Sequence, residues 1–233
     1  MRMEYLQAEA ALASAEADAW AARDFDTLSR LYMPLQETRR QRRQRCGEGV
    51  VRLDMLATGP EHALDPERIV TENPHGQLLV AGWGTIAPAV AVRRLAAERG
   101  LYVETFLGAV YPVGAGHAVV IVPLPETPPP ALRPASIDQL MSKLPAHCLV
   151  MNVDELPKGS RRGTWETFAE TMGMWERLHT PFLAAADMQV DPARKIEGYR
   201  TTTRVDYASE LAHQKLSDVA KQLARAQRAA RRA

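Results

Sequence analysis

The sequence predicts an α/β fold: a three-layer sandwich around a mostly parallel, Rossmann-like sheet, flanked by N- and C-terminal helices. Three observations predict it. Between residues 48 and 190, strand-like apolar runs alternate with helix-like segments, the order of an open sheet with right-handed crossovers. "QLLVAGW" (77–83) is apolar almost without alternation, as a strand covered on both faces is. The turn that follows it, "GWGT", carries two glycines and opens a helix, and such sheets hold ligands at the carboxyl ends of their strands.

Each element follows from local pattern. Residues 3–33 read as helix, with a break near Arg23 and a cap at Asp24 or Asp26; Pro34 is expected to kink or restart it. The run "QETRRQRRQR" has no apolar face, so it reads as a helix that is either solvated or wrapped by anions. "GVVRLDMLA" (49–57) is a strand. Asp65 followed by Pro66 is an N-cap with proline at the first helical position, which starts a short helix over 66–73. After the 77–83 strand comes a helix over 85–99, ended by Gly100. "LYVETFLG" (101–108) and "HAVVIVPL" (117–124) are strands with a "GAG" turn between them, and "PETPPPALRP" is too rich in proline for regular structure. Ser136 caps a helix to about Lys143, "HCLVMNV" (147–153) is a strand, and Thr164 caps a helix to about His179. Pro181 opens a further short helix, and "YRTTTRVDY" (199–207) reads as a strand or extended arm. From Ser209 the chain is helical, with Ala212, Leu216, Val219, Leu223 and Ala226 forming a seam for a homodimer or for the chain's own sheet. The expected domains are a helical segment over 1–47, the α/β domain over 48–190, and an arm and helix over 191–233.

Composition narrows the function classes. The chain has 233 residues, 46% of them hydrophobic and 24% charged, with a net charge of +1. That balance supplies no global field toward nucleic acid or acidic membranes. The clustered Arg39, Arg40, Arg42, Arg43 and Arg45 leave nucleic-acid contact open, but few aromatics accompany them for base stacking. A solvated or inter-subunit helix is favoured. Two cysteines are too few for a disulfide scaffold, the N-terminus is too acidic for a signal peptide, and no run approaches the ~20 apolar residues of a membrane span. A cytoplasmic address, no membrane partner and no bound metal or cofactor are therefore expected.

Two loops invite an anion. Gly82-Trp83-Gly84-Thr85-Ile86-Ala87 fits G-x-G-x-x-A, whose glycines let backbone approach a phosphate at a helix N-terminus. Glu104, about twenty residues on, stands where a ribose-binding acid would sit, so an NAD(P)-dependent oxidoreductase is one alternative. Lys158, Ser160, Arg161 and Arg162, around two glycines, would make an anion cradle; an exposed basic loop is the alternative. The six histidines show no metal-ligand spacing, and Cys148 reads as a buried apolar side chain.

Three segments taken together resemble the SIS (sugar isomerase) phosphosugar-binding domain: "LLVAGWGTIAPA", "HAVVIVPLPET" and "CLVMNVDELPKGS". The resemblance covers about 75–155 and implies a phosphosugar or similar phosphorylated ligand at the strand ends, for an isomerase or a sensor. It implies that Gly82, Gly84, Thr85, Thr127 and Asn152 touch the phosphate, that Lys158, Ser160 and Arg161 close the site, and that Glu126 moves a proton. The sequence departs from the family where hydroxyls matter: Ile86 replaces the first serine, and Val122-Pro123-Leu124-Pro125 replaces the serine-rich loop. A non-catalytic assembly or RNA-contacting module is the remaining alternative.

Overall fold

The computed structural model describes residues 4–126 and 136–232. They divide into two compact units. One is Gln44–Met174; the other takes its residues from both sides of that span. In chain order the elements are α1 (Tyr5–Ala21), α2 (Phe25–Glu48), β1 (Val50–Leu56), α3 (Pro66–Glu72), β2 (His75–Trp83), α4 (Ala87–Glu98), β3 (Tyr102–Val113), β4 (Gly116–Val122), α5 (Ile137–Lys143), β5 (Leu149–Asn152), β6 (Arg161–Arg162), α6 (Trp165–Asp187), α7 (Pro192–Val205) and α8 (Glu210–Ala230). The helical segments that the sequence separates into 1–47 and 191–233 contribute to a single unit.

The central unit is α/β, with a six-stranded sheet in the order β5-β4-β3-β2-β1-β6, curled into a half-barrel. The sheet is mixed rather than mostly parallel. Only β1–β2 and β2–β3 pair parallel; β3–β4, β4–β5 and β1–β6 pair antiparallel. The physical reason lies in the "GAG" turn. A parallel partner needs a crossover of a dozen or more residues, and the Gly114–Ala115 connection is far too short for one. Both strands also run longer toward this turn than their apolar patterns suggest, so Pro112 pairs with His117 and Val113 with Gly116.

One sheet face packs on α3 and α4, where Leu78, Val80, Leu107 and Val120 meet Ile69, Val70, Ala89 and Val92. Both helices start or stop as read. Asp65 Oδ1 accepts the Glu67 and Arg68 amides, and Gly100 adopts φ +62° after α4. On strand β2 the buried Gln77 breaks the apolar run. Its amide donates to Glu104 at 2.5 Å, and its carbonyl accepts from Thr171 of α6. All three side chains are buried, so a polar triad sits inside the unit with its groups satisfied by one another.

Strand β6 is held by glycines. The Gly163 amide donates to the Gly49 carbonyl at 2.7 Å, and a Cβ on Gly163 would collide with the Gly47 and Gly49 carbonyls. Gly163→Ala should therefore lower the stability read from chemical denaturation by about 2 kcal/mol, as typical steric substitutions do. Gly173→Ala, inside α6 with open space around it, should raise stability by about 0.5–1 kcal/mol. Equal effects from the two would remove the steric account.

The other unit is a helical assembly of α1, the α2 residues up to Arg43, the α6 residues from Trp175 on, α7 and α8. Its core joins Phe25, Leu28 and Tyr32 to Leu183, Ile196, Tyr199, Ala212 and Leu216. The first three residues of the α8 seam are thus buried within the unit. Two prolines that read as helix breaks do not end their helices: α2 continues through Pro34 and α6 through Pro181. Residues 199–207 are not a strand. Asp191 accepts the Ala193 amide and α7 begins at Pro192, the same Asp-Pro signal as at 65–66. The threonines that suggested a strand bond back into the helix, Thr201 to the Glu197 carbonyl and Thr202 to that of Gly198.

Candidate functional site

The carboxyl ends of β1, β2, β3 and β5 point the same way, because β5 reverses β4. Trp83 lies level with Val110, Val119 and Met151, and Asn152 stands one residue beyond, opposite Ala118. Gly82, Gly84, Thr85 and Asn152 are therefore at the same end of the sheet. Residues 153–160 connect the two outermost strands of the order, with Val153 and Leu156 buried.

The turn itself uses its donors internally. The Gly84 amide, at φ +62°, donates to the Val110 carbonyl at 2.9 Å, and Gly82 bridges Thr85. Thr85 Oγ1 accepts the Ala87 amide at 3.1 Å, the first N–H of α4, and Pro88 has none to offer. The helix end that would greet a phosphate is thus largely capped by the chain. Trp83 packs edge-on to His117 at 5.6 Å.

The 158–162 cradle is similarly committed. Lys158 Nζ donates to the Val153 carbonyl at 2.8 Å, the Gly159 amide donates to Asp54 at 2.6 Å, and Arg161 pairs with Glu170 at 2.7 Å. Asp54 brings a carboxylate to the place where an anion was expected. Ser160 is exposed. Glu126 does not join these groups along the sheet. Strand β4 runs antiparallel and leaves the sheet at Val122, level with Leu107, heading away from the 82–85 turn. Thr127 lies outside the described residues. Glu104 pairs with Gln77 near the start of β3 rather than at its carboxyl end, so it sits in the buried triad and not beside the turn.

A cavity of about 290 Å³ opens instead in the helical unit. Its floor is Tyr32, Leu35, His213 and Leu216, all buried. Glu197 and Arg204 of α7 are exposed at its rim. Three guanidiniums (Arg39, Arg200, Arg204) and two carboxylates (Glu16, Glu197) line it, which leaves one net positive charge. Arg200 grips Glu16 through two bonds of 2.7 and 3.2 Å and stacks on Trp20 at 4.4 Å. The Tyr32 hydroxyl donates to Glu16 at 3.3 Å; burial and that carboxylate raise its pKa, so it stays a donor.

Histidine 213 is fixed by two partners. Its Nδ1 lies 2.7 Å from the Ser209 carbonyl, which can only accept, so Nδ1 carries the proton. Nε2 is then a lone pair, and Arg39 Nη1 donates to it at 3.1 Å. Burial and the Arg39 charge push the imidazole pKa down to about 4, which leaves the ring neutral near pH 7. Arg39 is in turn held by Glu9 at 3.3 Å.

The arginine run is neither solvated nor wrapped by foreign anions as a whole. Arg39 and Arg42 share Glu9, and Arg43, 2% exposed, pairs with Asp206 at 2.7 Å. Asp206 also accepts from His179 at 2.7 Å, and Arg43 lies over the Trp175 and Tyr207 rings. Only Arg40 and Arg45 pair outward, with Glu37 and Glu48. No helix among the described residues is long and apolar enough to cross a membrane, and no group of three His, Cys, Asp or Glu side chains among them could hold a metal ion. Cys148 is half-buried, its thiol pKa raised to about 11 by burial.

No family model, curated protein or solved structure matches this chain.

Proposed function

We propose that the chain binds a small phosphorylated, hydroxyl-bearing molecule of the phosphosugar class, and that the helical cavity holds it. The observation that carries this reading is the lining itself: three arginines outnumber two glutamates around a buried apolar floor, which favours an anion even with Arg200 paired to Glu16. The volume, at the lower end of ligand pockets, suits a monosaccharide phosphate and is small for a dinucleotide.

Phosphosugars should raise the melting temperature in proportion to the logarithm of concentration, and the parent sugars should not. Arg204→Gln, an exposed position, should abolish the shift, while Thr85→Val should keep it. Silence across a phosphosugar panel would overturn the proposal.

A second reading places the same ligand at the carboxyl ends of the strands, in a remodelled SIS-like domain. What favours it is that Thr85 keeps a hydroxyl proton, Asn152 its amide protons and Lys158 further ammonium protons at one end of the sheet. Loss of the thermal shift in Thr85→Val but not in Arg204→Gln would select it.

A further inference from the structure

We propose that the helical cavity takes up its anion together with one proton, with His213 as the proton acceptor and Arg39 as the group that couples the two events. This rests on the reading of that cavity as the ligand site and specifies the charge of its ligand.

The geometry sets the coupling. A protonated Nε2 would point its N–H at the Arg39 Nη1 donor, so the ring cannot charge while Arg39 keeps its place. An anion in the cavity gives Arg39 a better partner than an imidazole lone pair, because a charge-assisted bond is the stronger one. As Arg39 turns to the anion, Nε2 loses its donor and the local positive charge is offset. Nε2 then accepts a proton from solvent, and the new N–H donates to the anion. The Nδ1–H bond to Ser209 is unaffected and keeps the ring oriented.

The surrounding charges frame this exchange. Glu9 and Glu16 come from α1, Tyr32 and Arg39 from α2, and Glu197, Arg200 and Arg204 from α7; Asp206 lies before α8 and favours the charged ring. The lining carries one net positive charge with His213 neutral, and two with it protonated. The added charge on the lining favours a dianion over a monoanion. The site is built for a phosphate monoester in its doubly charged form rather than for a monocarboxylate.

Inorganic sulfate tests this, since it is a dianion that does not titrate near neutrality, unlike a phosphate ester with a second pKa of about 6. Sulfate affinity for the full chain, measured by calorimetry from pH 8 to 5.5, should rise as pH falls, approaching tenfold per unit where one proton is taken up. The heat should depend on the buffer's ionisation enthalpy, and in the NMR titration the His213 Cε1–H signal should shift its midpoint upward when sulfate is added. His213→Gln should remove the pH slope. Sulfate binding with a flat pH profile and an unmoved His213 midpoint would overturn proton coupling while leaving the ligand site intact. Failure of both sulfate and phosphosugars to bind would overturn the cavity reading and this proposal together.

Discussion

Asp206→Ala should cost about 3–5 kcal/mol of stability, the usual penalty for removing one partner of a buried ion pair. The carboxylate is 1% exposed and holds two partners, the Arg43 guanidinium at 2.7 Å and the His179 ring at 2.7 Å. It also accepts the Ala208 amide at 3.1 Å and so fixes the turn into α8. Without it, Arg43 remains 2% exposed against the Trp175 and Tyr207 rings and has lost its carboxylate partner at 2.7 Å. The loss should appear in chemical denaturation followed by the fluorescence of Trp175, which lies against the guanidinium. Replacing both partners with apolar residues of similar volume (Arg43→Met with Asp206→Leu) should recover most of the loss, because the penalty comes from the stranded charge. A single-variant loss below 1 kcal/mol would show that the pair adds nothing to folding.

That network explains why the arginine run cannot be placed from its own pattern. On a helical wheel the five arginines spread widely, and nothing in their own segment supplies an apolar face. The partners of Arg39, Arg42 and Arg43 are Glu9, Asp206 and His213, at the two far ends of the chain, so the pattern of 39–45 alone cannot distinguish a solvated helix from a buried one. The cavity was hidden for the same reason: Glu16, Arg39, Arg200 and His213 come together only when terminal helices pack. The α/β unit was more legible, because strands and caps are local. Asp65, Gly100 and Ser136 sit where their chemistry predicts. Sheet direction is the exception: alternating strands and helices suggest a mostly parallel sheet, although the short "GAG" turn excludes a parallel β3–β4 pair. The Asp191-Pro192 signal was equally available, and the threonines of 201–203 outweighed it only because β-branched residues suggest strands when their back-bonding is not considered.

Acid should unfold the protein in two separable stages, and the first belongs to His213. Its folded pKa of about 4 lies below the ordinary 6.5, so between these values the unfolded chain binds more protons than the folded one. Stability from this group is therefore complete above pH 6.5 and falls as pH drops toward 4, by about 3 kcal/mol over the window. Asp206 titrates lower. Burial alone would raise its pKa, but Arg43's charge and the bonds from His179 and Arg43 hold it well below the usual carboxylate value of 3.8. Its contribution is present above 3.8 and is lost as pH falls below that. Urea unfolding at half-unit steps from pH 7 to 3 should thus show a decline that begins near 6.5 and steepens below 4. His213→Gln should flatten the upper part, and a profile unchanged by that substitution would assign the decline to other groups. Sulfate adds the decisive contrast. An anion that enters with a proton stabilises the charged imidazole, so saturating sulfate should erase the upper decline in the native chain and leave the lower one in place.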